Sequence, residues 1–222
     1  MNYKLIAVDL DGTLYNDEPA ISPATIQALI KAQEMGIRVA ISSGRPLPGL
    51  FHARDALNLQ KYHGMLVSYN GGKVVDTTNH ETLNDSMNCV EVSSLIDCLD
   101  FPLIKILTAI EPEKLPDVFK VIGKPYEGIL DFVQSADFYI EAVPHGTSKA
   151  TGLLKVCEKL GIHSDQIIAF GDAKNDLEMI KLAGHGVAMG NACDELKECA
   201  DEVTLTNNEN GIVHTLNHLI FS

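Results

Sequence analysis

The feature that most constrains the fold is an alternation of short apolar runs with helical patterns in the first part of the chain. "KLIAV" (residues 4–8) is followed by Ser22 and Pro23, a good N-cap and first-turn pair, and then by apolar residues on one helical face. "IRVAIS" (37–42) and "GMLVS" (64–68) have the same strand character and are separated by a second helical pattern. Strands that alternate with helices predict an α/β fold with a parallel sheet.

The alternation stops in the middle of the chain and then returns. Five prolines break the middle into short pieces, which include "FYIEAV". A helical pattern starts at Ser148 and is followed by the strand-like "QIIAF", a helix after Asn175, the strand-like "GVAM" and a closing helix. We therefore predict a discontinuous core, residues 1–82 and 146–222, with a small α+β domain, residues 83–145, inserted into it.

Charge and composition exclude several classes of partner. The net charge of −13 opposes binding to nucleic acid or to an anionic membrane, and no block of lysine and arginine offers a local exception. The sequence has neither a signal-peptide pattern nor an apolar run near the roughly 20 residues that span a bilayer, so we expect a cytoplasmic protein. The five cysteines form no CxxC pair, and we expect them to be reduced thiols that mostly fill the core.

Two carboxylates, Asp9 and Asp11, follow the first apolar run. In an extended strand, residues i and i+2 face the same way, so both side chains should point together with Cα atoms roughly 6 to 7 Å apart. Their repulsion would be about 2 to 3 kcal/mol at an effective dielectric constant of about 20, which predicts a cation beside them. Gly12 allows the backbone to approach a ligand closely. A solvated turn is the alternative.

A second pair of carboxylates follows the run "QIIAF". Asp172 ends that strand, and Asn175 and Asp176 begin the next helix. Because the carboxyl ends of parallel strands form one ligand crevice, the two groups of carboxylates are expected to meet there. Carboxylate oxygens of this kind suit Mg²⁺. For Asp176, an interaction with the helix dipole alone is the alternative.

Two further segments have the chemistry of a phosphate site. Ser43, Gly44 and Arg45 stand between a strand and a proline-started helix, where a hydroxyl and free N–H groups bind anions, although an ordinary N-cap has the same residues. Lys149 stands at the start of a helix, where the helix dipole disfavours a cation. A nearby phosphate or carboxylate would account for this lysine; a solvated side chain is the alternative.

Together these segments resemble one family. The haloacid dehalogenase superfamily of phosphatases, in its Cof-type branch with a cap inserted between the second and third motifs, has the same motifs in the same order: Asp9-x-Asp11-Gly12-Thr13, Ser43-Gly44-Arg45, Lys149 and Gly171-Asp172-x-x-Asn175-Asp176. Asn70-Gly71-Gly72 and Gly190-Asn191-Ala192 are additional matches. The resemblance implies a Rossmann-like doubly wound core and Mg²⁺-dependent hydrolysis of a phosphomonoester.

The resemblance also implies roles for individual residues. Asp9 would be the nucleophile that forms an aspartyl phosphate, and Asp11 would be the general acid and base. Mg²⁺ would be held by Asp9, the backbone carbonyl of Asp11 and Asp172. Ser43 and Lys149 would bind the transferring phosphoryl group.

The remaining site residues are expected to bind the phosphate or to support the residues that do. Gly12, Gly44 and Asn175 would contact the phosphate, while Asp176, Asn70 and Arg45 would support the site, with Asp176 orienting Lys149 or a metal-bound water. Asp11 favours phosphoryl transfer over carbon–halogen cleavage, since a dehalogenase has no leaving alkoxide to protonate.

The cap would be shorter than is usual in this branch, which leaves the substrate open. We expect a sugar phosphate, with phosphoglycolate and pyridoxal phosphate as alternatives and phosphomutase activity as a lesser one. A non-catalytic phosphate-binding or interaction module with an incomplete cap is the alternative of a different class. Either a monomer or a homodimer fits the sequence.

Two other patterns are not assigned to the site. His214 and His218 have the helical spacing of a metal pair, but "HTLNH" lacks the glutamate of a zinc protease helix, so we interpret it as a solvated helix face. Cys157 lies on the apolar face of its helix and is expected to pack in the core.

Overall fold

The structure is a computed structural model that describes residues 3–78, 103–136 and 138–222. The chain divides into two compact units. The first, here called the core unit, comprises Met1–Leu83 and Ser148–Ser222, and the second, the inserted unit, comprises Asn84–Thr147. The functional boundaries expected from the sequence, at 82/83 and 145/146, remain a prediction.

Within the described residues there are ten strands and seven α-helices. The strands are β1 (Leu5–Val8), β2 (Arg38–Ser42), β3 (Met65–Ser68), β4 (Lys73–Asp76), β5 (Ile106–Ala109), β6 (Leu130–Ala136), β7 (Tyr139–Pro144), β8 (Ile167–Gly171), β9 (His185–Ala188) and β10 (Glu202–Val203). The helices are α1 (Pro23–Glu34), α2 (Phe51–Ala56), α3 (Leu115–Gly123), α4 (Lys149–Leu160), α5 (Leu177–Leu182), α6 (Asp194–Cys199) and α7 (Gly211–Leu219).

A seven-stranded sheet in the order β10-β9-β8-β1-β2-β3-β4 forms the centre of the core unit. Its neighbouring strands are parallel except for the antiparallel pair β3–β4. β1 lies between β2 and β8, and all four of its residues are buried, which explains why its sequence is an unbroken apolar run. The α/β fold expected from the sequence is confirmed.

Local sequence signals set the helix ends as expected. The side chain of Ser22 caps α1 by accepting a hydrogen bond from the backbone N–H of Thr25, and Pro23 occupies the first turn. A reciprocal capping box between Ser148 and Thr151 begins α4. α4 ends at Gly161, whose φ of +65° favours glycine. The first residue of α4 is therefore held in one place.

The strand register brings the segments with polar residues to one edge of the sheet. Val8, the last residue of β1, pairs with Ile41 of β2 and with Phe170 of β8. Asp9 donates its backbone N–H to the carbonyl of Phe170. The residues that follow these three strands therefore lie side by side at the carboxyl edge, where open α/β sheets bind ligands.

The end of β1 differs from the expectation in one respect. β1 stops at Val8, although Asp9 and Asp11 both keep extended φ and ψ angles, and Gly12 then turns the chain with a φ of +79°. The extended geometry expected at Asp9 and Asp11 agrees with these angles. The two side chains nevertheless have different surroundings, because Asp9 is buried and about half of the Asp11 side chain is exposed.

The inserted unit contains a three-stranded antiparallel sheet in the order β5-β7-β6, together with α3. The segment "FYIEAV" contributes most of the central strand β7. An ion pair of 3.0 Å joins Lys105 to Glu141 on β7, and both side chains are largely buried. The described part of this unit is thus of the α+β type.

Two expectations concern membranes and thiols. Among the described residues, no helix has the length and apolar character needed to cross a membrane. Cys157 is buried, and it, Cys193 and Cys199 are free thiols. Cys89 and Cys98 lie outside the described residues.

Candidate active site

A buried lysine lies at the centre of the site. The Nζ atom of Lys149 lies 2.5 Å from Oδ1 of Asp9 and 2.6 Å from Oδ1 of Asp176. Only 1% of the lysine side chain is exposed, and both carboxylates are buried too. These partners account for a cation at the first residue of α4, where the helix dipole disfavours it.

The pKa shifts in this group have opposing causes. Burial raises the pKa of Asp9 well above its usual value, Lys149 acts against that rise, and Asp176 adds to it. Burial alone would lower the pKa of Lys149, but Asp9 and Asp176 outweigh this effect and raise it. Lys149 therefore stays positively charged. Its single positive charge does not neutralise all of the carboxylates around it.

Asp172 adds a third carboxylate beside this pair. Its Oδ1 accepts a 2.7 Å hydrogen bond from the hydroxyl of Thr13, and a Cβ atom on Gly12 would overlap the carboxylate. Burial, followed by the charge of Asp176, raises the pKa of Asp172 against the effect of the Thr13 hydrogen bond. Only glycine fits at position 12, because of both its positive φ and this close approach.

Asp176 organises the loop that carries Asp172. Its Oδ2 accepts hydrogen bonds of 3.1 Å from the backbone N–H groups of Asp172 and Ala173, while its Oδ1 accepts from Lys149. A Cβ atom on Gly171 would overlap the side chain of Asp176. Asp176 thus ties the end of β8 to the start of α4.

Asp11 has a partner of its own. Its two carboxylate oxygens accept hydrogen bonds from Nε and Nη2 of Arg45, at 2.8 and 2.6 Å. About half of the Asp11 side chain is exposed. The expected cation beside Asp9 and Asp11 is therefore two cations, Lys149 at the buried carboxylate and Arg45 at the exposed one.

The remaining predicted residues form the other side of the site. The buried hydroxyl of Ser43 accepts a 3.1 Å hydrogen bond from the backbone N–H of Arg45. Asn70, at a φ of +52°, accepts a 3.1 Å hydrogen bond from Nδ2 of Asn175 through its Oδ1. A Cβ atom on Gly44 would lie 3.1 Å from the Asn70 amide. Ser43, Gly44, Asn70 and Asn175 thus belong to one connected group.

The donor set fits a divalent cation. One carboxylate oxygen from each of Asp9, Asp172 and Asp176 lies within 4.8 Å of the others. If all three are ionised, the charge of Lys149 leaves two negative charges uncompensated in a buried place, which a divalent cation would balance. Both oxygens of Asp176 already accept hydrogen bonds, so Asp9 and Asp172 are the better ligands, and the Asp11 side chain is not in this group.

Two contributors were not assigned a role from the sequence. Thr13 fixes the carboxylate of Asp172, and Asn191 donates a 2.8 Å hydrogen bond from Nδ2 to the carbonyl of Gly12. Asn191 also accepts from the backbone N–H of Asn207, so it connects two loops. Both residues lie in segments that match the family motifs, and this match is the sequence signal that could have identified them. Their hydrogen-bond partners depend on the tertiary structure.

Comparison with known proteins gives a consistent result. The profile of the haloacid dehalogenase-like hydrolase family matches residues 6–101 and 86–216. The chain is 32% identical to 5-amino-6-(5-phospho-D-ribitylamino)uracil phosphatase YcsE of Bacillus subtilis, over 99% of this chain and 97% of that protein. It is 29% identical to a phosphoglycolate phosphatase of Methanopyrus kandleri, over 97% of each.

A solved structure agrees with these sequence relatives. The crystal structure of a haloacid dehalogenase-like hydrolase from Bacteroides thetaiotaomicron superimposes with a TM-score of 0.88 at 31% identity. The match covers 98% of this chain and 100% of that one.

Proposed function

The chain belongs to the haloacid dehalogenase-like hydrolase family and is a phosphatase of that family, and from this premise we propose a Mg²⁺-dependent phosphomonoesterase that acts through Asp9. The observation that carries the proposal is the buried Lys149, bonded to both Asp9 and Asp176 and next to Asp172. We propose that residues 1–82 and 146–222 form the catalytic core and that residues 83–145 form a small cap.

In the first step, an oxygen of Asp9 attacks phosphorus and the bond from phosphorus to the leaving oxygen breaks. This yields an aspartyl phosphate and an alkoxide, which takes a proton from Asp11. Burial of Asp9 suits this role, because a nucleophile screened from water is held for attack instead of being solvated.

In the second step, water attacks the aspartyl phosphate while Asp11 accepts its proton. The bond between phosphorus and Asp9 breaks, which releases inorganic phosphate and restores the carboxylate of Asp9 and the protonated carboxyl group of Asp11. In the structure Arg45 binds both oxygens of Asp11, so this role requires the Arg45–Asp11 pair to open when substrate arrives.

The other residues bind and position the phosphoryl group. Lys149 supplies a fixed positive charge, the Ser43 hydroxyl and the N–H of Gly44 supply donors, and Asn175 joins them from the opposite loop. Asp9 and Asp172 would hold Mg²⁺ together with the backbone carbonyl of Asp11. When bound, Mg²⁺ supplies charge neutralisation between these carboxylates and the phosphate oxygens.

A direct test measures hydrolysis of p-nitrophenyl phosphate with and without Mg²⁺. We expect Mg²⁺-dependent turnover that falls by at least about 10³-fold in Asp9→Asn, since the nucleophile is lost. Asp55→Asn, an exposed carboxylate outside the site, is the matched control and should retain activity. No Mg²⁺-dependent turnover, or equal turnover in Asp9→Asn, would favour the non-catalytic phosphate-binding alternative.

For the substrate, we propose a small phosphomonoester, with a sugar phosphate as the first candidate. Phosphoglycolate is the second, because the alignment with the phosphoglycolate phosphatase spans 228 residues, close to the 222 of this chain, whereas that with YcsE spans 246. A panel of sugar phosphates, phosphoglycolate and pyridoxal phosphate, ranked by kcat/KM, distinguishes them. A cytoplasmic location and a monomeric or dimeric state remain predictions from the sequence.

A further inference from the structure

A second group of metal-ligand side chains lies in the core unit, outside the candidate active site. Glu202 is the first residue of β10, and His214 and His218 stand one helical turn apart on α7. One ligand atom from each of the three lies within 4.8 Å of the others. The sequence alone indicated a solvated helix face at these histidines, because the spacing gave no sign of the glutamate that tertiary structure brings to them.

This cluster, here called the Glu202 cluster, is well separated from the candidate active site. β10 is the outermost strand of the sheet, two strands from β8, which leads to Asp172, and three strands from β1, which leads to Asp9. At about 4.8 Å per strand these separations are roughly 10 and 14 Å. The two groups share no residue, so they can be tested independently.

Hydrogen bonds fix the orientation of both histidine rings. Nδ1 of His218 lies 3.1 Å from the backbone carbonyl of His214, which can only accept, so this contact is a hydrogen bond in the tautomer with the proton on Nδ1. Nδ1 of His214 lies 3.4 Å from the hydroxyl of Thr204, and that hydroxyl donates its own proton to the carbonyl of Gly211 at 2.8 Å. In the tautomer that satisfies these contacts each ring donates from Nδ1, and Nε2 then keeps a free lone pair.

The carboxylate of Glu202 is oriented in the same manner. Its Oε1 accepts a 2.6 Å hydrogen bond from the hydroxyl of Thr215, which leaves Oε2 facing the histidines. Oε2 lies 3.2 Å from Nε2 of His218 and 3.0 Å from Nε2 of His185. Outer hydrogen bonds that orient histidine and carboxylate ligands are the usual second layer of a metal site.

The contact between His218 and Glu202 is one that a cation would stabilise. A neutral His218 that donates from Nδ1 would point the lone pair of Nε2 at the negative oxygen of Glu202, which is repulsive. A cation between Nε2 of His218 and Oε2 of Glu202 would remove this repulsion.

We propose that Glu202, His214 and His218 bind a Zn²⁺ ion, with water completing the coordination. Two imidazole nitrogens and a carboxylate are ligands that Zn²⁺ accepts, whereas Mg²⁺ prefers oxygen. Tetrahedral Zn²⁺ with ligands at about 2.0 to 2.1 Å places neighbouring ligand atoms about 3.4 Å apart. The 3.2 Å between Oε2 of Glu202 and Nε2 of His218 is close to that spacing.

Such an ion would connect the edge of the sheet to the last helix. β10 has only two residues, and α7 contacts it through the side chains of this cluster and through Thr215. Zn²⁺ bound only by the folded chain stabilises it, so its binding should raise the midpoint of thermal unfolding. About half of the His218 side chain is exposed, which leaves a path for the ion to enter.

Calorimetric titration of Zn²⁺ into the full chain, in excess Mg²⁺ to occupy the oxygen-rich site, tests the proposal. We expect one equivalent of Zn²⁺ and a rise in the unfolding midpoint. In His214→Gln and in His218→Gln, binding should weaken by more than the roughly 10- to 100-fold that follows loss of a residue that only orients a ligand. His63→Gln, an exposed histidine in the loop before β3, is the matched control and should bind as the unchanged chain does. Co²⁺ in place of Zn²⁺ should give the visible absorption bands of a four-coordinate site, and these bands should disappear in His214→Gln/His218→Gln.

Absence of Zn²⁺ binding would overturn the proposal and leave a direct His218–Glu202 hydrogen bond. Equal binding by the doubly substituted chain would also overturn it, since the ion would then lie elsewhere. Mg²⁺-dependent hydrolysis by each variant verifies that it is folded, because none of the three residues belongs to the proposed catalytic site.

Discussion

Lys149 is a single residue whose surroundings determine much of the site. Its side chain is almost fully buried, and its positive charge lies between the carboxylates of Asp9 and Asp176. A buried ion pair of this kind adds little net stability, because desolvation offsets the attraction between the charges. Its value lies in holding the proposed nucleophile in one position.

Replacement of this lysine by an apolar residue should therefore destabilise the protein strongly. Lys149→Met leaves two buried carboxylates without a counterion, and the expected loss in the free energy of unfolding is about 3 to 5 kcal/mol. Urea unfolding followed by circular dichroism measures it, since the chain has no tryptophan. Lys155→Met, an exposed lysine on the same helix, should cost far less; similar losses in both variants would contradict this expectation.

For individual residues, the sequence predicted which residues lie together in the candidate site better than it predicted the contacts between them. The dipole argument for Lys149 required a nearby anion, and the structure supplies two carboxylates. The separation of Asp9 from Asp11 was not foreseen, because it depends on the turn at Gly12 and on Arg45, which comes from another strand end. Residue types follow local rules, whereas partners distant in sequence follow the tertiary fold.

Between elements, the contact that positions Lys149 is a close approach of two glycines. Gly71, at a φ of +98°, lies against the start of α4, where a Cβ atom would overlap the carbonyl of Ser148. A Cβ atom on Gly152 of α4 would lie against Gly71 and Val67. The turn after β3 and the first turn of α4 are therefore in backbone contact.

Gly71→Ala should separate these two elements and move Lys149. Gly161→Ala is the matched control, because Gly161 also has a positive φ but would have nothing within 4 Å of a Cβ atom. The control should lose about 1 to 2 kcal/mol of stability from backbone strain alone, and Gly71→Ala should lose more and lower kcat as well. Urea unfolding and steady-state kinetics compare them; equal losses would show that the close approach has no effect.

A second connection between elements depends on pH. Asp76 ends β4, accepts hydrogen bonds from the hydroxyl and N–H of Thr78, and pairs with Lys159 of α4 at 3.2 Å. Burial alone would raise the pKa of Asp76, but the bonds from Thr78 and Lys159 outweigh it and lower the pKa. A lowered folded-state pKa contributes stability above the unfolded value, and this contribution disappears as pH falls through the folded-state value.

In Asp76→Asn, the free energy of unfolding should therefore depend less steeply on pH in the acidic range. The unfolded pKa of an aspartate is about 3.9, so the stability of the unchanged chain should fall more steeply than that of Asp76→Asn below about pH 5. Unfolding free energies from urea titrations at several pH values measure the two slopes. Parallel slopes would rule out Asp76 as a source of the pH dependence.

Several described strands were not predicted from the sequence, among them β5 and β6 of the inserted unit. β4 and β10 were not predicted, since β10 has two residues and the residues of β4 are only partly buried, so neither has a clear apolar pattern. Buried strands such as β1 and β8 were recognised, because a short unbroken apolar run is typical of a parallel strand that is covered on both faces.

At the scale of the whole molecule, the chain has a strong net negative charge and a group of buried carboxylates. A cation that binds these carboxylates should therefore raise the free energy of unfolding. Mg²⁺ that binds only the folded state should stabilise it, by about 2.7 kcal/mol at a hundredfold excess over its dissociation constant. Asp172→Asn should reduce this gain, yet without Mg²⁺ it should be at least as stable as the unchanged chain because one repulsive charge is gone. Thermal unfolding with increasing Mg²⁺ measures both effects; equal gains would exclude Asp172 as a ligand.

The position of β1 also has a consequence for synthesis on the ribosome. Leu5 pairs with Arg38 on one side and with Ile167 on the other, so β1 gains one neighbour early in synthesis and the other about 160 residues after Leu5. Until then the nascent chain has an apolar strand with an open edge, which is prone to pair with other chains and is a target for chaperones. A polypeptide released before β8 contains Asp9 but not Asp172, so it lacks one of the two carboxylates that we propose as Mg²⁺ ligands.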